Sequence, residues 1–306
     1  MTEQHGGDEA APLVYCVILN LNGRELLLET LASVSQMDYA NFRMLVVDNG
    51  SNDDSVEAVR RDYPQVELIE TGENLGFGGG NNVGIEHALA AGADWVFLLN
   101  NDITVDPALL TELLHVAATD WRIGVLGAKI YYHHSPDRIW YAGGRVNFVT
   151  GIISHRGIRK ADRGQFDEVE DTGYVTGCAF LIRRAALEVT GGFDPLFHPS
   201  YTEDADLSLR VQRAGFRTVY VPAGKVWHKV SSFSGGELTP FKTRLKVTHN
   251  LLFFRRYARW YHWLTIPLFF FGAALVFSVR ELLRGRVAVV AALLRGMAGG
   301  LRRPLR

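Results

Sequence analysis

Tyr201-Thr202-Glu203-Asp204-Ala205-Asp206 packs three carboxylates into four residues. A helix start explains part of that density, because Ser200 and Glu203 have capping-box spacing and acids favour a first turn. Three acids exceed what a cap requires, so one of Glu203, Asp204 and Asp206 is a candidate for a general base, given a partly buried site that raises a carboxyl pKa. Asn100-Asn101-Asp102 closes the most apolar segment of the chain. It is either a strand-to-loop turn or one carboxylate with amide oxygens, a hard-oxygen set suited to Mg²⁺ or Mn²⁺ shared with a diphosphate. A lone carboxylate holds such an ion weakly and needs a second protein ligand. His228, in Val226-Trp227-His228, supplies it if the chain brings the two together; otherwise it is an ordinary histidine.

Two further clusters suit a nucleotide. Asp48-Asn49-Gly50-Ser51 is a turn signal, since Asn-Gly favours positive φ, and Asp48 at a strand end could also accept hydrogen bonds from a nucleobase imide. It is not an EF-hand, because Gly50 holds the third ligand position and no helix precedes the loop. Gly76-Phe77-Gly78-Gly79-Gly80 is not a dinucleotide fingerprint either. Asn81 stands where the last glycine belongs, and the loop does not follow the first strand. These glycines could still admit a phosphate-bearing ligand to a helix start.

The elements that must carry these clusters alternate. Val14–Leu19, Met44–Val47, Val66–Ile69 and Trp95–Leu99 are short, nearly continuous apolar runs. Helical spacing appears at Leu26–Val34, Ser55–Arg61 and Asn81–Ala91. Strands of this kind form a parallel sheet covered on both faces, whose ligands collect beyond the carboxyl ends of the strands. Asn20, Asp48, the Asn74–Asn82 loop and Asp102 all fall at such ends. The second half is less regular, and mixed strands and loops are expected there.

The composition, 47% hydrophobic and 21% charged over 306 residues, excludes global disorder, collagen and coiled coil. Cys16 and Cys178 fall in apolar segments and read as buried thiols, too few for a disulfide framework. The polar start, MTEQHGGDEAAP, has no secretory signal pattern, which makes a cytoplasmic chain the expectation. From Phe241 onward there are 13 Lys or Arg against the single acid Glu281, while the residues before it carry 19 basic and 32 acidic groups. An acidic body disfavours nucleic-acid binding, and a basic, aromatic tail interleaved with apolar runs suits an anionic membrane surface.

Together, VILNLNG, LVVDNGSNDDS, NLGFGGGNNVG, FLLNND, TGCAFLIRR, GGFDPLF, YTEDADLSLR and VWH resemble, in order and spacing, the inverting nucleotide-sugar transferases of glycosyltransferase family 2. The match runs from about Val14 to Arg256, and the Asn-Asn-Asp variant is similar to the rhamnosyltransferase-type subgroup. The resemblance implies the GT-A fold: an α/β, Rossmann-like mixed sheet, here with a C-terminal helical segment at the membrane. It implies that Leu19, Asn20 and Asp48 contact base and ribose and that Asn74, Gly76 and Asn82 line the nucleotide loop. Asp102 and His228 would hold the metal, Mg²⁺ or Mn²⁺, with Asn100 and Asn101 alongside. Gly177 would let backbone approach the donor sugar, the Gly192–Asp194 turn would sit near the acceptor, and Asp204 would be the base. Asn100 stands where many members carry Asp, one negative charge fewer near the diphosphate. The donor implied is a thymidine diphosphate sugar, rhamnose first, with uridine diphosphate sugars next. The acceptor is a glycan or glycolipid of the cell envelope. The other reading is a non-catalytic nucleotide- or sugar-binding relative.

The resulting organisation is a flexible segment 1–12, a catalytic domain 13–240 and a membrane-associated tail 241–306. Between Arg259 and Arg280 lie 20 uncharged residues. That is about 30 Å of helix, just enough to span a bilayer. Pro267 interrupts it, and a span would place the arginines beyond it outside, against the positive-inside tendency. A segment lying in the cytoplasmic leaflet is therefore expected, with a single span as the alternative. Arg280, Arg284, Arg295 and Arg302 would form one basic stripe on a continuous helix.

Overall fold

The computed structural model describes residues 11–230 and 238–305, so the expected flexible segment lies, but for its last two residues, outside the described residues. The first half alternates as the apolar runs require: β1 (Val14–Asn20), α1 (Arg24–Val34), β2 (Phe42–Asp48), α2 (Ser55–Asp62), β3 (Glu67–Glu70), α3 (Gly76–Ala90) and β4 (Trp95–Asn100). There follow β5 (Ile103–Val105), α4 (Leu109–Ala117), β6 (Ile123–Tyr132), β7 (Ser135–Tyr141), the hairpin β8 (Gly144–Asn147) and β9 (Ile152–His155), and β10 (Glu170–Asp171). Then come β11 (Ala179–Arg183), α5 (Arg184–Thr190), α6 (Glu203–Arg213), β12 (Arg217–His228), α7 (Pro240–Tyr257), α8 (Ile266–Leu283) and α9 (Val287–Arg302).

The main sheet runs β10-β12-β6-β11-β4-β1-β2-β3, with β5 added to β12 and β7 to β6. β3, β2, β1 and β4 are parallel, as expected for buried runs between crossover helices. β11 is antiparallel to both neighbours, β4 and β6, which makes the sheet mixed. Side chains of β1 alternate between two cores. Cys16 and Ile18 pack with α1 and α4, while Tyr15 and Val17 pack with α3, α5 and α6. Both cysteines are buried free thiols.

The glycine run is itself helical: α3 starts at Gly76, five residues before Asn81. Gly76, Gly80 and Gly84 recur every four residues on one face, and that face is pressed against protein. A Cβ on Gly80 would overlap Leu19, one on Gly84 would overlap Val17, and one on Gly76 would lie 2.8 Å from His198 Nδ1 and Pro199 O. Gly80 and Gly84 thus serve close packing on β1, and Gly76 close approach to the His198–Pro199 segment.

The expected boundary at 240 cuts a packed core. Leu252, Phe253, Phe254 and Tyr257 of α7 are buried with Tyr174, Phe197 and Ala205 of the catalytic body. The arginine stripe also fails as one helix, because Gly285, at φ +72°, turns the chain between α8 and α9.

Candidate active site

Three parallel strands deliver the first cluster. In the β1–β2 register Asn20 lies opposite Asp48, and in the β1–β4 register Leu19 lies opposite Asn100. The buried Asn20 amide donates to Asp48 Oδ1 and Ser51 Oγ, each at 3.2 Å, and its carbonyl accepts from Asn101 Nδ2 at 2.7 Å. Asp48 also accepts from the Ser51 backbone N–H at 2.9 Å and from the Ser51 hydroxyl. Asn20, Asp48 and Asn101 therefore form one hydrogen-bonded floor at the strand ends, with Asn100 at the lip of β4.

Asn49, which sequence reasoning passed over, joins this floor to α3. It is buried, its amide donates to Asn74 Oδ1 and Gly76 O at 3.2 Å each, and its carbonyl accepts from the Leu75 N–H at 3.0 Å. Asn74 also caps the Gly76 N–H at 2.9 Å. Asn82 is not with them. Its amide donates to Phe193 O at 2.9 Å and its carbonyl accepts from Phe193 N at 2.8 Å. The expected nucleotide-loop role for Asn82 is thus replaced by a clamp on the Gly192–Phe193 turn, and Leu19 lies beneath Gly80.

Asp102 and His228 do meet. β5 pairs antiparallel with β12, placing Ile103 opposite His228, so the residue before Ile103 stands beside the imidazole. His228 Nε2 is 3.1 Å from Asp102 Oδ1, and the two side chains are about nine-tenths buried, at 9% and 11% exposed. Burial pulls the imidazole down, but the Cys178 sulfur and the Asp102 carboxylate outweigh it and hold His228 up at about 10. Asp102 Oδ1 has no hydrogen bond of good geometry, nor has His228 Nδ1. An octahedral ion with bonds of roughly 2.1 Å keeps adjacent ligand atoms about 3 Å apart, so this pair fits a divalent cation. Among the described residues no third His, Cys, Asp or Glu completes a metal-holding group with them. The remaining positions would be left to water and substrate oxygen, the habit of Mg²⁺.

The three acids of the Glu-Asp segment separate into three environments. Asp206 is fully buried in an ion network, accepting from Arg210 at 2.7 Å, Arg256 at 3.2 Å and the Tyr257 hydroxyl at 2.6 Å. Glu203 is buried with Oε2 unpartnered, and desolvation, reinforced by Asp204, raises its pKa well above the carboxylate range. Asp204 keeps partial exposure. Oδ2 accepts from the Gly177 N–H at 3.1 Å and Oδ1 from the Ala205 N–H at 2.8 Å. Burial raises its pKa against those hydrogen bonds, the balance wanted in a base that must also exist as carboxylate. A Cβ on Gly177 would stand 2.9 Å from the Phe77 ring, so Gly177 is where backbone, not side chain, must face Asp204.

The turn that aims these acids is strained: Tyr201 and Thr202 both have φ +78°, a conformation side-chain-bearing residues avoid. His249 of α7 holds it, its Nδ1 lying 2.9 Å from Ser200 O and 3.1 Å from Tyr201 O. An N–H on Nδ1 donates to both.

Between the Asp102–His228 pair and Asp204 stands an aromatic wall that carried no sequence signal. Trp140 packs edge-on to His228 and against His155, each at 4.6 Å between ring centres. His155 lies 2.9 Å from the Tyr174 hydroxyl. Burial drives His155 down to about 3, so the ring is neutral, and it raises the Tyr174 phenol, with the Asp204 carboxylate adding to the rise. The three rings thus link His228 to the neighbourhood of Asp204 through direct aromatic and hydrogen-bond contacts.

Residues 15–191 match the model of Glycosyl transferase family 2. The chain belongs to that family. It is 34% identical over 229 residues to an N-acetylglucosaminyl-diphospho-decaprenol L-rhamnosyltransferase of Mycobacterium tuberculosis, covering 67% of this chain and 72% of that one. It is 26% identical over 228 residues to the rhamnosyltransferase WbbL of Escherichia coli, covering 71% of this chain and 83% of that one. In fold this family 2 transferase resembles the mannosyltransferase PcManGT of Pyrobaculum calidifontis, solved with GDP-Man and Mn²⁺. The TM-score is 0.62 at 16% identity, over 96% of this chain and 88% of the other. The protein is therefore a glycosyltransferase of GT-A fold. Asp204 and His228 lie beyond the family-model match, in the part of the site built by α6 and β12.

Proposed function

We propose that this family 2 enzyme transfers a sugar, with inversion, from a nucleoside diphosphate donor to a hydroxyl of a lipid-linked cell-envelope glycan. The observation that carries the reading is the placement of Asp102 with His228 and of Asp204 on two sides of one wall of sugar-sized rings, Trp140, His155 and Tyr174. The strand-end floor of Asn20 and Asp48, with Asn49, Asn74 and Gly76 beside it, suits the nucleoside, and Asn100 and Asn101 border the diphosphate. Asp102 and His228 would hold Mg²⁺ or Mn²⁺, which when bound supplies Lewis-acid neutralisation of the departing diphosphate. Asp204 takes the proton of the acceptor oxygen as that oxygen bonds to the anomeric carbon. The bond to the diphosphate breaks from the opposite face, so configuration inverts in a single displacement. Glu203, held protonated, keeps a second negative charge from competing with Asp204 for that proton.

Thymidine diphosphate-rhamnose is the proposed donor, supported by the relatives named as rhamnosyltransferases, with uridine diphosphate sugars next. A lipid-linked acceptor is supported by the decaprenyl-linked substrate in the name of the mycobacterial relative and by the apolar α8. Both support work at a membrane, and the cytoplasmic face, where nucleotide sugars are found, belongs to the same proposal.

Calorimetric titration of thymidine, uridine and guanosine diphosphates, with and without Mn²⁺, tests this on wild type and Asp102→Ala. Tight binding of one nucleotide that requires both Mn²⁺ and Asp102 is the expected result. A folded wild-type protein that binds none of the three would overturn the donor site and leave a non-catalytic relative.

A further inference from the structure

α9 lies on α7 in parallel. Gly296 contacts Arg244 and Val247, Gly300 contacts Thr248 and Leu251, and Arg255 donates to Gly300 O and Arg303 O, so both helices advance together. α8 leaves near the C-terminus of α7 and, through the short turn Arg284-Gly285-Arg286, feeds the N-terminus of α9. It must therefore run back along the length of α7. Its 18 residues cover about 27 Å, the same as the 18 of α7. Both ends of α8 are thus fastened to the catalytic body, the first also through Ile266, which packs in the Phe253–Tyr257 cluster. A helix that crossed a bilayer would leave α9 on the far side, out of reach of α7.

α8 nevertheless turns its apolar side outward. Leu268, Phe269, Phe271, Leu275, Val276, Val279, Leu282 and Leu283 are all exposed. At roughly 100° per residue they fall within about 160° of the helix circumference. The inner side holds Ile266 and Glu281, the latter wholly covered by Arg280, Arg284 and Arg286. At the other end Trp260 and Tyr261 are exposed, amphipathic rings of the kind that settle at a headgroup boundary. Apolar outside, aromatic at one end and arginine-rich at the other is the inverse of a soluble surface helix, and it matches an anionic leaflet.

We infer that α8 is an in-plane anchor: it lies lengthwise in one leaflet of an anionic bilayer, and neither it nor α9 crosses. This deepens the proposal that the enzyme works at a membrane, and the two fail separately. Detergent-purified full-length protein is exchanged into preformed phosphatidylcholine vesicles with or without phosphatidylglycerol and pelleted. Pelleting with the anionic vesicles is expected, weakened at least tenfold in Leu275→Glu/Val279→Glu and in plain phosphatidylcholine. Arg259→Cys and Arg295→Cys, which flank α8, are then treated with a membrane-impermeant maleimide; native Cys16 and Cys178 are buried. Both introduced thiols should react in intact vesicles. Pelleting in which Arg295→Cys reacts only after lysis means a span and overturns the in-plane placement alone. No pelleting, or a soluble dimer that Leu275→Glu/Val279→Glu dissociates, overturns the membrane assignment with it. A normal melting transition of the double variant separates lost docking from lost fold.

Discussion

The backbone N–H of Gly177 donates to Asp204 Oδ2 across 3.1 Å, tying the candidate base to the turn ahead of β11. Asp204→Asn keeps the shape and an acceptor for that N–H but cannot take a proton. Its kcat should fall about 10²–10⁴-fold while nucleotide diphosphate binding is unchanged. Single-turnover rates and calorimetry on one preparation check this, and a folded variant that loses nucleotide binding would remove Asp204 from the role of base.

Glu203 carries a pH dependence in stability. Its pKa is raised in the folded protein, so the native state binds its proton more tightly than the unfolded chain. That stabilisation is complete below the ordinary glutamate pKa and is lost as pH rises through the folded value. Glu203→Gln has no such loss. Its Tm should match wild type near pH 4 and exceed it at pH 8; thermal melts across that range decide, and parallel curves would contradict the assignment.

Asp206 should behave oppositely to Asp204 under the same kind of change. Asp206→Asn removes the buried carboxylate from Arg210 and leaves Arg256 with Asp194 alone, a loss of up to about 3–5 kcal/mol. Tm should drop on the order of 10 °C. Residual activity per folded molecule should remain, because Asp206 faces α7 and not the site. Denaturant midpoints together with activity normalised to folded fraction test both halves.

In α3, Gly84→Ala drives a methyl group into Val17 and to within 3.1 Å of Val47 Cγ2. Overpacking of this kind costs about 1–3 kcal/mol. Gly92→Ala meets no atom within 4 Å but sits at φ +88°, so its cost is backbone strain alone. Urea unfolding of the two variants should rank Gly84→Ala as the more damaging.

The parallel half of the sheet was legible because each strand is an apolar run, and β1, β2 and β4 are closed by Asn or Asp at the ends where Asn20, Asp48 and, two residues past Asn100, Asp102 lie. Asn82 and the glycine run misled for a common reason. Four glycines in five residues argue against a helix by propensity, yet packing overrides propensity, and a helix begun at Gly76 turns Asn82 toward Phe193. The Asp102–His228 pair depends on the β5–β12 register and on an irregularity between Val221 and Lys225, neither visible in a lone Val-Trp-His. Trp140, His155 and Tyr174 have no shared spacing at all, and only the β8–β9 hairpin and its neighbours gather them.

Arg256 and Tyr257, which close over Asp206, lie in a stretch that hydropathy alone would assign to a detachable tail. Trimming the chain at residue 240 to obtain a tractable catalytic fragment would remove them along with His249, the support of the strained turn before Asp204. Such a fragment would fail in the cavity left beside α6, not for want of lipid. Solubility in this enzyme has to be sought by repainting the outer face of α8, leaving the length of the polypeptide alone.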